Sequence, residues 1–205
     1  APHVLIGFPT RFIRAGRGDL TDGLFMSSRD GVTFHRWAEA LIPPGPGSGK
    51  WQNRSNYIWW GLVETESHLD GAPPEWSLYV NEAYYKGEDT RIRRYTIRQD
   101  GFVSVGAPMA GGEMVTKPLT FEGDRLSLNV ATSAAGSVRV ELQTADGEPI
   151  EGHTLADCPQ IYGDSLDRAV TWKSGADVGE LAGQPIRMRI ELEDADVFSL
   201  RFDGK

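Results

Sequence analysis

The sequence predicts an all-β fold, in which an antiparallel β-sandwich of jelly-roll kind follows a region of antiparallel strands. Apolar residues alternate with polar or charged ones in three runs, over 126–130, 138–142 and 186–192. Such alternation is typical of antiparallel strands with one buried and one solvated face. Turn signals separate the runs, at 134–136 and 193–195 among others. Short strands punctuated by turns indicate a sandwich.

The first half of the chain also carries strand patterns. Apolar residues alternate over 4–8, and Asp30-Gly31 between two apolar runs predicts a hairpin. Three further strands are predicted, over 57–65, 76–85 and 90–97. Helical patterns are scarce and short, with candidates at 176–181 and 163–168.

Composition divides the chain into two predicted regions, 1–106 and 107–205. Fifteen of the twenty aromatic residues lie in the first region, whereas the whole net charge of −8 lies in the second. Aromatic rings stack on apolar ligand faces, including those of sugars, and scattered carboxylates keep a surface soluble. The two regions are therefore expected to have different roles.

Charge and composition argue against several partners. A net charge of −8 disfavours nucleic acid and anionic membranes, which attract basic surfaces. No apolar run reaches the roughly 18 residues that a membrane-spanning helix requires. Cys158 is the single cysteine, so the chain cannot form an internal disulfide that would indicate an oxidising or a reducing compartment. A secreted or periplasmic location is compatible with the sequence. The four histidines have no metal-ligand spacing, which predicts no metal site formed by them.

Glycoside hydrolysis would require two carboxylates, and the aromatic-rich region supplies Glu64, Glu66 and Glu82. Retaining enzymes place the pair about 5–5.5 Å apart, and inverting enzymes about 6.5–9.5 Å apart. Glu64 and Glu82 are the candidate catalytic pair, and Glu66 is a candidate ligand-binding residue. Hydrogen bonding to a ligand and a purely structural role remain alternatives for all three.

Aromatic side chains are the other candidate binding residues. The set of interest is Trp51, Tyr57, Trp59, Trp60, Trp76, Tyr84 and Tyr85. Because consecutive residues of a strand face opposite ways, Trp59 and Trp60 cannot both line one surface. One of the two is expected in the core, and the other is expected to stack on a sugar or to close an interface.

Aspartates suggest two further local roles. Asp30 is expected to cap backbone N–H groups of its own hairpin, as short Asp side chains do in turns. Asp157, Asp164 and Asp167 lie in an acidic segment whose oxygen ligands could hold Ca²⁺. No EF-hand spacing supports that calcium site.

Several segments of the chain resemble, in order, the C-terminal part of proteins similar to glycoside hydrolase family 32. They are SSRDGVTFHRW, IWWGLVETES, EWSLYVNEAYY and RIRRYTIRQDGFVSVGAP, then GGEMVTKPLTFEGDRLSLNVATSAAGSVRVELQ and PIRMRIELEDADVFSLRF. The resemblance implies that residues 1–106 are propeller-blade-like strands and that 107–205 form the family's C-terminal sandwich. The family's Trp-Met-Asn-Asp-Pro-Asn, Arg-Asp-Pro and Glu-Cys motifs do not occur here.

The favoured expectation is a carbohydrate-binding or accessory module for an oligosaccharide or polysaccharide. Two alternatives stay open: an active glycoside hydrolase using Glu64 and Glu82, and a purely structural accessory domain. About two blades fit into 1–106, whereas a closed propeller has at least four. Their exposed strand edges would be buried either against the sandwich or in a homo-oligomer.

Overall fold

The computed structural model describes residues 4–13, 20–43, 56–84, 88 and 90–204. Every paired strand is antiparallel, and the described residues contain no α-helix, so the predicted all-β fold class is confirmed. The jelly-roll topology and the propeller-blade character stay predictions. Within the same ranges, no helix has the length and apolar character needed to cross a bilayer.

The chain divides into two compact units, Ala1–Gln99 and Asp100–Lys205. The division comes earlier than the change of composition after residue 106. The physical reason is backbone pairing, because Val105–Ala107 is hydrogen-bonded to the last long strand of the second unit.

The first unit contains three sheets. Their strands are β1 (Leu5–Gly7), β2 (Thr10–Ile13), β3 (Leu20–Gly23), β4 (Met26–Ser28), β5 (His35–Arg36), β6 (Tyr57–Ile58), β7 (Val63–Thr65), β8 (Glu75–Glu82) and β9 (Arg91–Arg98). The sheets are β1-β4-β5, β2-β3, and a four-stranded sheet in which β8 pairs with β6, β7 and β9. The predicted strand 57–65 is thus interrupted, since the chain leaves the ladder after Trp59 and rejoins it at β7.

The core of the first unit lies on one face of β8. Leu78 and Val80 are buried there together with Ile42. Partly buried apolar residues complete this cluster: Leu41, Ile58, Leu62, Tyr95 and Ile97.

The second unit is built on two very long strands. Its strands are β10 (Val105–Ala107), β11 (Gly112–Val115), β12 (Arg125–Thr144), β13 (Asp164–Ala169) and β14 (Ile186–Asp203), joined in one sheet. β14 pairs with β10, β11 and β12, and β12 also pairs with β13. In the described part of the second unit, helical structure is limited to one 3-10 turn, Gly179–Leu181.

Period-two alternation correctly predicts which residues face the second core. Buried there are Phe121, Leu126, Leu128, Val130, Val138, Val140, Leu142, Cys158, Ile161, Val170, Trp172, Val178, Ile186, Met188, Ile190, Leu192, Ala195 and Val197.

The turns predicted at 134–136 and 193–195 are wrong, because β12 and β14 continue through them with register shifts between Thr132 and Ser137. Such β-bulges bend a strand without ending it. The predicted helix over 163–168 is wrong as well, since those residues enter β13.

The predicted Asp30 turn is confirmed, with β4 and β5 as the strands that it joins. One Asp30 carboxylate oxygen accepts the N–H of Val32 at 2.9 Å and that of Thr33 at 2.7 Å. The Ser28 hydroxyl also donates to it, at 2.9 Å. These bonds, with Thr33 first, hold the pKa of Asp30 well below its ordinary value of 3.8.

Asp30→Asn is expected to lower stability at pH 7, because the charged acceptor of the turn is lost. A carboxyl with a depressed pKa in the folded state stabilises fully above its ordinary pKa, and the contribution disappears as the pH falls through the folded value. The difference in unfolding free energy between the parent chain and the variant should therefore shrink below about pH 3.8. Denaturant titrations from pH 7 to pH 2 would measure this difference. Asp70→Asn, at an exposed position, is the control, and a gap that is constant with pH would contradict the role of the Asp30 charge.

Gly136→Ala should destabilise the second unit by about 1–3 kcal/mol, as overpacking does. A Cβ at this position would meet the backbone carbonyl oxygens of Glu193 and Asp194, which cannot move without breaking the ladder. Gly204→Ala is the matched control, because its Cβ would lie 3.7 Å from the nearest heavy atom, the Gly123 Cα. Equal unfolding midpoints for the two variants would show that β12 tolerates the extra methyl group.

Candidate functional site

Strand β8 positions the candidate residues of the first unit. Its sequence, EWSLYVNE, places Leu78, Val80 and Glu82 on the core face and Ser77, Tyr79 and Asn81 on the opposite face. Directly paired residues of neighbouring strands share a face, so the register of β6, β7 and β9 decides what surrounds each side chain.

Glu82 is a buried structural carboxylate. Its side chain has no exposed surface, and its Oε2 accepts Arg91 Nε at 2.7 Å and Arg93 Nε at 3.1 Å. The Tyr95 hydroxyl donates to Oε1. All three donors come from β9, where Arg91 lies directly opposite Glu82. Burial of a charge is tolerable only when it is paired and hydrogen-bonded, and this arrangement meets that condition.

Glu64 lies far from Glu82. It is exposed, accepts a hydrogen bond from Gln99 Nε2 at 3.0 Å, and pairs with Trp76 across the β7–β8 ladder. Trp76 and Glu82 are six positions apart on β8, which is about 20 Å at the rise of an extended strand. Neither the retaining nor the inverting spacing is met, so the structure does not bring the proposed catalytic pair together. Glu66 is exposed in the segment after β7.

Both tryptophans of the predicted pair are exposed, which corrects the expectation that one is in the core. Trp59 exposes 48% of its surface and Trp60 exposes 97%. The strand alternation behind that expectation fails because the chain leaves the ladder after Trp59 and bends through Gly61, whose φ is +92°. Two large rings with free surface are therefore carried by one short connection.

The other aromatic residues predicted to bind a ligand are partly buried, in contact with other rings, or outside the described residues. Tyr57 contacts Tyr84 edge-on, with ring centroids 5.3 Å apart, and Phe12 at 6.3 Å. Phe12 is 61% exposed and was not predicted as a site residue. Trp76 is half-buried on the core side of β8, whereas Trp51 and Tyr85 lie outside the described residues.

A row of three side chains crosses the exposed face of the sheet. The backbone N–H of Trp59 donates to the backbone carbonyl oxygen of Tyr79 at 2.8 Å, and this bond continues the register of β6 against β8. Tyr79 in turn lies opposite Arg94 of β9. Trp59, Tyr79 and Arg94 are consequently neighbours on one face. The strand pattern over 90–97 carries the signal for Arg94, but the sequence cannot tell which of its faces is buried.

Two of the three aspartates suggested as calcium ligands have separate partners, and the third, Asp164, is exposed at the start of β13. Asp157 accepts the Thr154 hydroxyl at 2.7 Å and faces Lys173 Nζ at 3.3 Å, and these two groups, the hydroxyl first, lower its pKa. Asp167 is paired with Arg125 and Arg201. In the described part of the chain, no group of three or more His, Cys, Asp or Glu side chains is placed to hold a metal ion.

Comparisons with protein-family models, with curated proteins and with solved structures found no match. The resemblance to glycoside hydrolase family 32-like proteins therefore remains a prediction from the sequence. Assignment of a function rests on the surfaces of the two units.

Glu82→Gln should destabilise the first unit by about 2–4 kcal/mol, because two arginine side chains would lose their buried counter-charge. Glu64→Gln should change stability by less than about 0.5 kcal/mol, since the side chain is exposed. Denaturant unfolding of both variants, followed by tryptophan fluorescence, would compare them. Equal stabilities would contradict the structural role of Glu82.

Proposed function

We propose that the chain is a carbohydrate-binding module, and that its ligand-binding surface lies on the first unit around Trp59 and Trp60. The 97% exposure of Trp60 is the observation that carries the proposal. Burying an indole ring is favourable in free energy, so a tryptophan that stays exposed is well placed to be covered by a ligand.

The chemistry of the exposed rings favours sugars. The apolar face of a pyranose or furanose packs against an indole or phenol ring, and the surrounding hydroxyl groups can bond to polar side chains. In the described residues neither Trp59 nor Trp60 stacks on another aromatic ring, so their faces are available. The half-buried Asn81 lies on the same face of β8 as Tyr79, whereas Ser77 of that face is buried and hydrogen-bonded to Thr65.

Binding is favoured over hydrolysis because the two candidate acids lie far apart and one of them is already engaged by other side chains. Glu82 is saturated by arginine and tyrosine donors, and Glu64 lies about 20 Å away along the sheet. A hydrolase using this pair would need another chain to supply the missing group.

A second candidate function is association through the strands of the first unit. Val63 and Ile92 expose 52% and 57% of their surfaces on the same side of the four-stranded sheet as Tyr79. Light scattering over a range of concentrations would test for a homo-oligomer. A monomer at every concentration would exclude it.

Trp59→Ala and Trp60→Ala should each weaken binding to the best polysaccharide about three- to tenfold, as loss of an aromatic stacking contact does. Affinity electrophoresis of the full chain against a panel of soluble polysaccharides would identify that ligand and measure the loss. Tyr162→Ala is the matched control, because Tyr162 is 66% exposed but lies in the second unit. Unchanged mobility of the parent chain on every polysaccharide would overturn the proposed function.

A further inference from the structure

We infer that the glycan bound by this surface is anionic and that Arg94 binds a uronic-acid carboxylate while sugar rings stack on Trp59 and Tyr79. The inference rests on the proposed function and specifies its ligand class. The observation behind it is the row Trp59, Tyr79 and Arg94 on three adjacent strand segments.

The dimensions of the row suit a short stretch of polysaccharide. Neighbouring strands lie about 4.8 Å apart, so the backbones of Trp59 and Arg94 are separated by about 10 Å across the sheet. That span accommodates two consecutive sugar rings. One ring lies against the aromatic pair, and the next presents its substituent to the guanidinium group.

Arg94 is a cation of this face that has no partner among the described residues. It is exposed and makes no side-chain hydrogen bond or ion pair with any described residue, in contrast to Arg91 and Arg93. Those two residues share the opposite face with Glu82. A guanidinium fork without a counter-ion is suited to a carboxylate, which it binds through two parallel hydrogen bonds.

In the register of β8 and β9, no acidic side chain lies directly beside Arg94 on its face. The residues closest to it on the same face are Ser77, Tyr79 and Asn81 of β8, with Ile92 and Thr96 of β9. The first carboxylate along β8 is Glu75, four positions from Tyr79 or about 13 Å away, and it lies opposite Arg98. An anionic ligand would therefore meet an uncompensated positive charge beside an aromatic ring.

The isolation of this charge also argues against a densely charged polymer. Arg98 lies on the same face, but among the described strand residues of this face only Arg94 is a cation without a partner. In a chain with a net charge of −8, one such cation gains little from a polymer with a phosphate or sulfate on every residue, and the chain's negative charge repels that polymer. A glycan with one carboxylate on a fraction of its rings matches both features. Nucleic acid is disfavoured on the same ground.

The test compares acidic polysaccharides with their own neutral forms. Glucuronoxylan, hyaluronan and polygalacturonate would each be run beside the carboxyl-reduced polymer in affinity electrophoresis and calorimetry with the full chain. At least one acidic form should bind about tenfold more tightly than its reduced partner, as expected for a charge-assisted bidentate contact. Dextran sulfate beside dextran supplies the sulfate comparison.

Variants of the chain test whether Arg94 causes the preference for the acidic polysaccharide. Arg94→Gln should abolish the preference for the acidic form over the reduced form, and Arg94→Lys should keep part of it. Arg29→Gln removes the same charge from an exposed turn and should leave the preference intact. Trp59→Ala should weaken binding to both forms.

Each failure has a different meaning. Equal binding of acidic and reduced forms would overturn the inference and leave the proposed function standing, whereas no binding to any polysaccharide would overturn both. An acid preference that survives Arg94→Gln, or an Arg94-dependent preference for dextran sulfate alone, would overturn the assignment of a uronate to Arg94.

Discussion

The buried carboxylate of Glu82 fixes the register on which the first unit depends. Its donors all lie on β9, and they reach it only if Arg91, Arg93 and Tyr95 face the core. A slip of one residue would turn every β9 side chain to the other face and leave a charge buried without partners. The same pairing directs Arg94 outward beside Tyr79. A core requirement thus determines the composition of the exposed face.

On the face that carries Trp59, Tyr79 and Arg94, the first and last of these side chains are exposed and Tyr79 is half-buried, which bears on the kind of function the face can have. Catalysis of glycosidic cleavage benefits from a site that excludes water and holds two carboxylates at a defined distance. A sheet face with tryptophan, tyrosine and arginine in a row offers contacts without enclosure. Such a surface is suited to recognition of a polymer that extends beyond it on both sides, which agrees with the proposed role.

The sequence predicts what depends on local periodicity and misses what depends on pairing. Alternation around Leu128, Val140 and Met188 predicts the buried face of the second unit correctly, because side-chain direction follows from the backbone alone. The continuity of β12 through Gly136 depends on bulges against β14, which no local pattern encodes. For the same reason, the partners of Glu82 emerge only from the β8–β9 register, and its separation from Glu64 emerges only from the β7–β8 register.

The pairing of β12 with β14 has a consequence for how the protein is made. Residue 125 is opposite residue 203, and residue 144 is opposite residue 186, so the central ladder joins segments that are distant along the chain. Contacts of this kind close large loops before they contribute stability, which slows folding. During synthesis, the apolar face of β12 stays unpaired until residues 186–203 have emerged from the ribosome. Until then this half of the molecule is a natural client for chaperones.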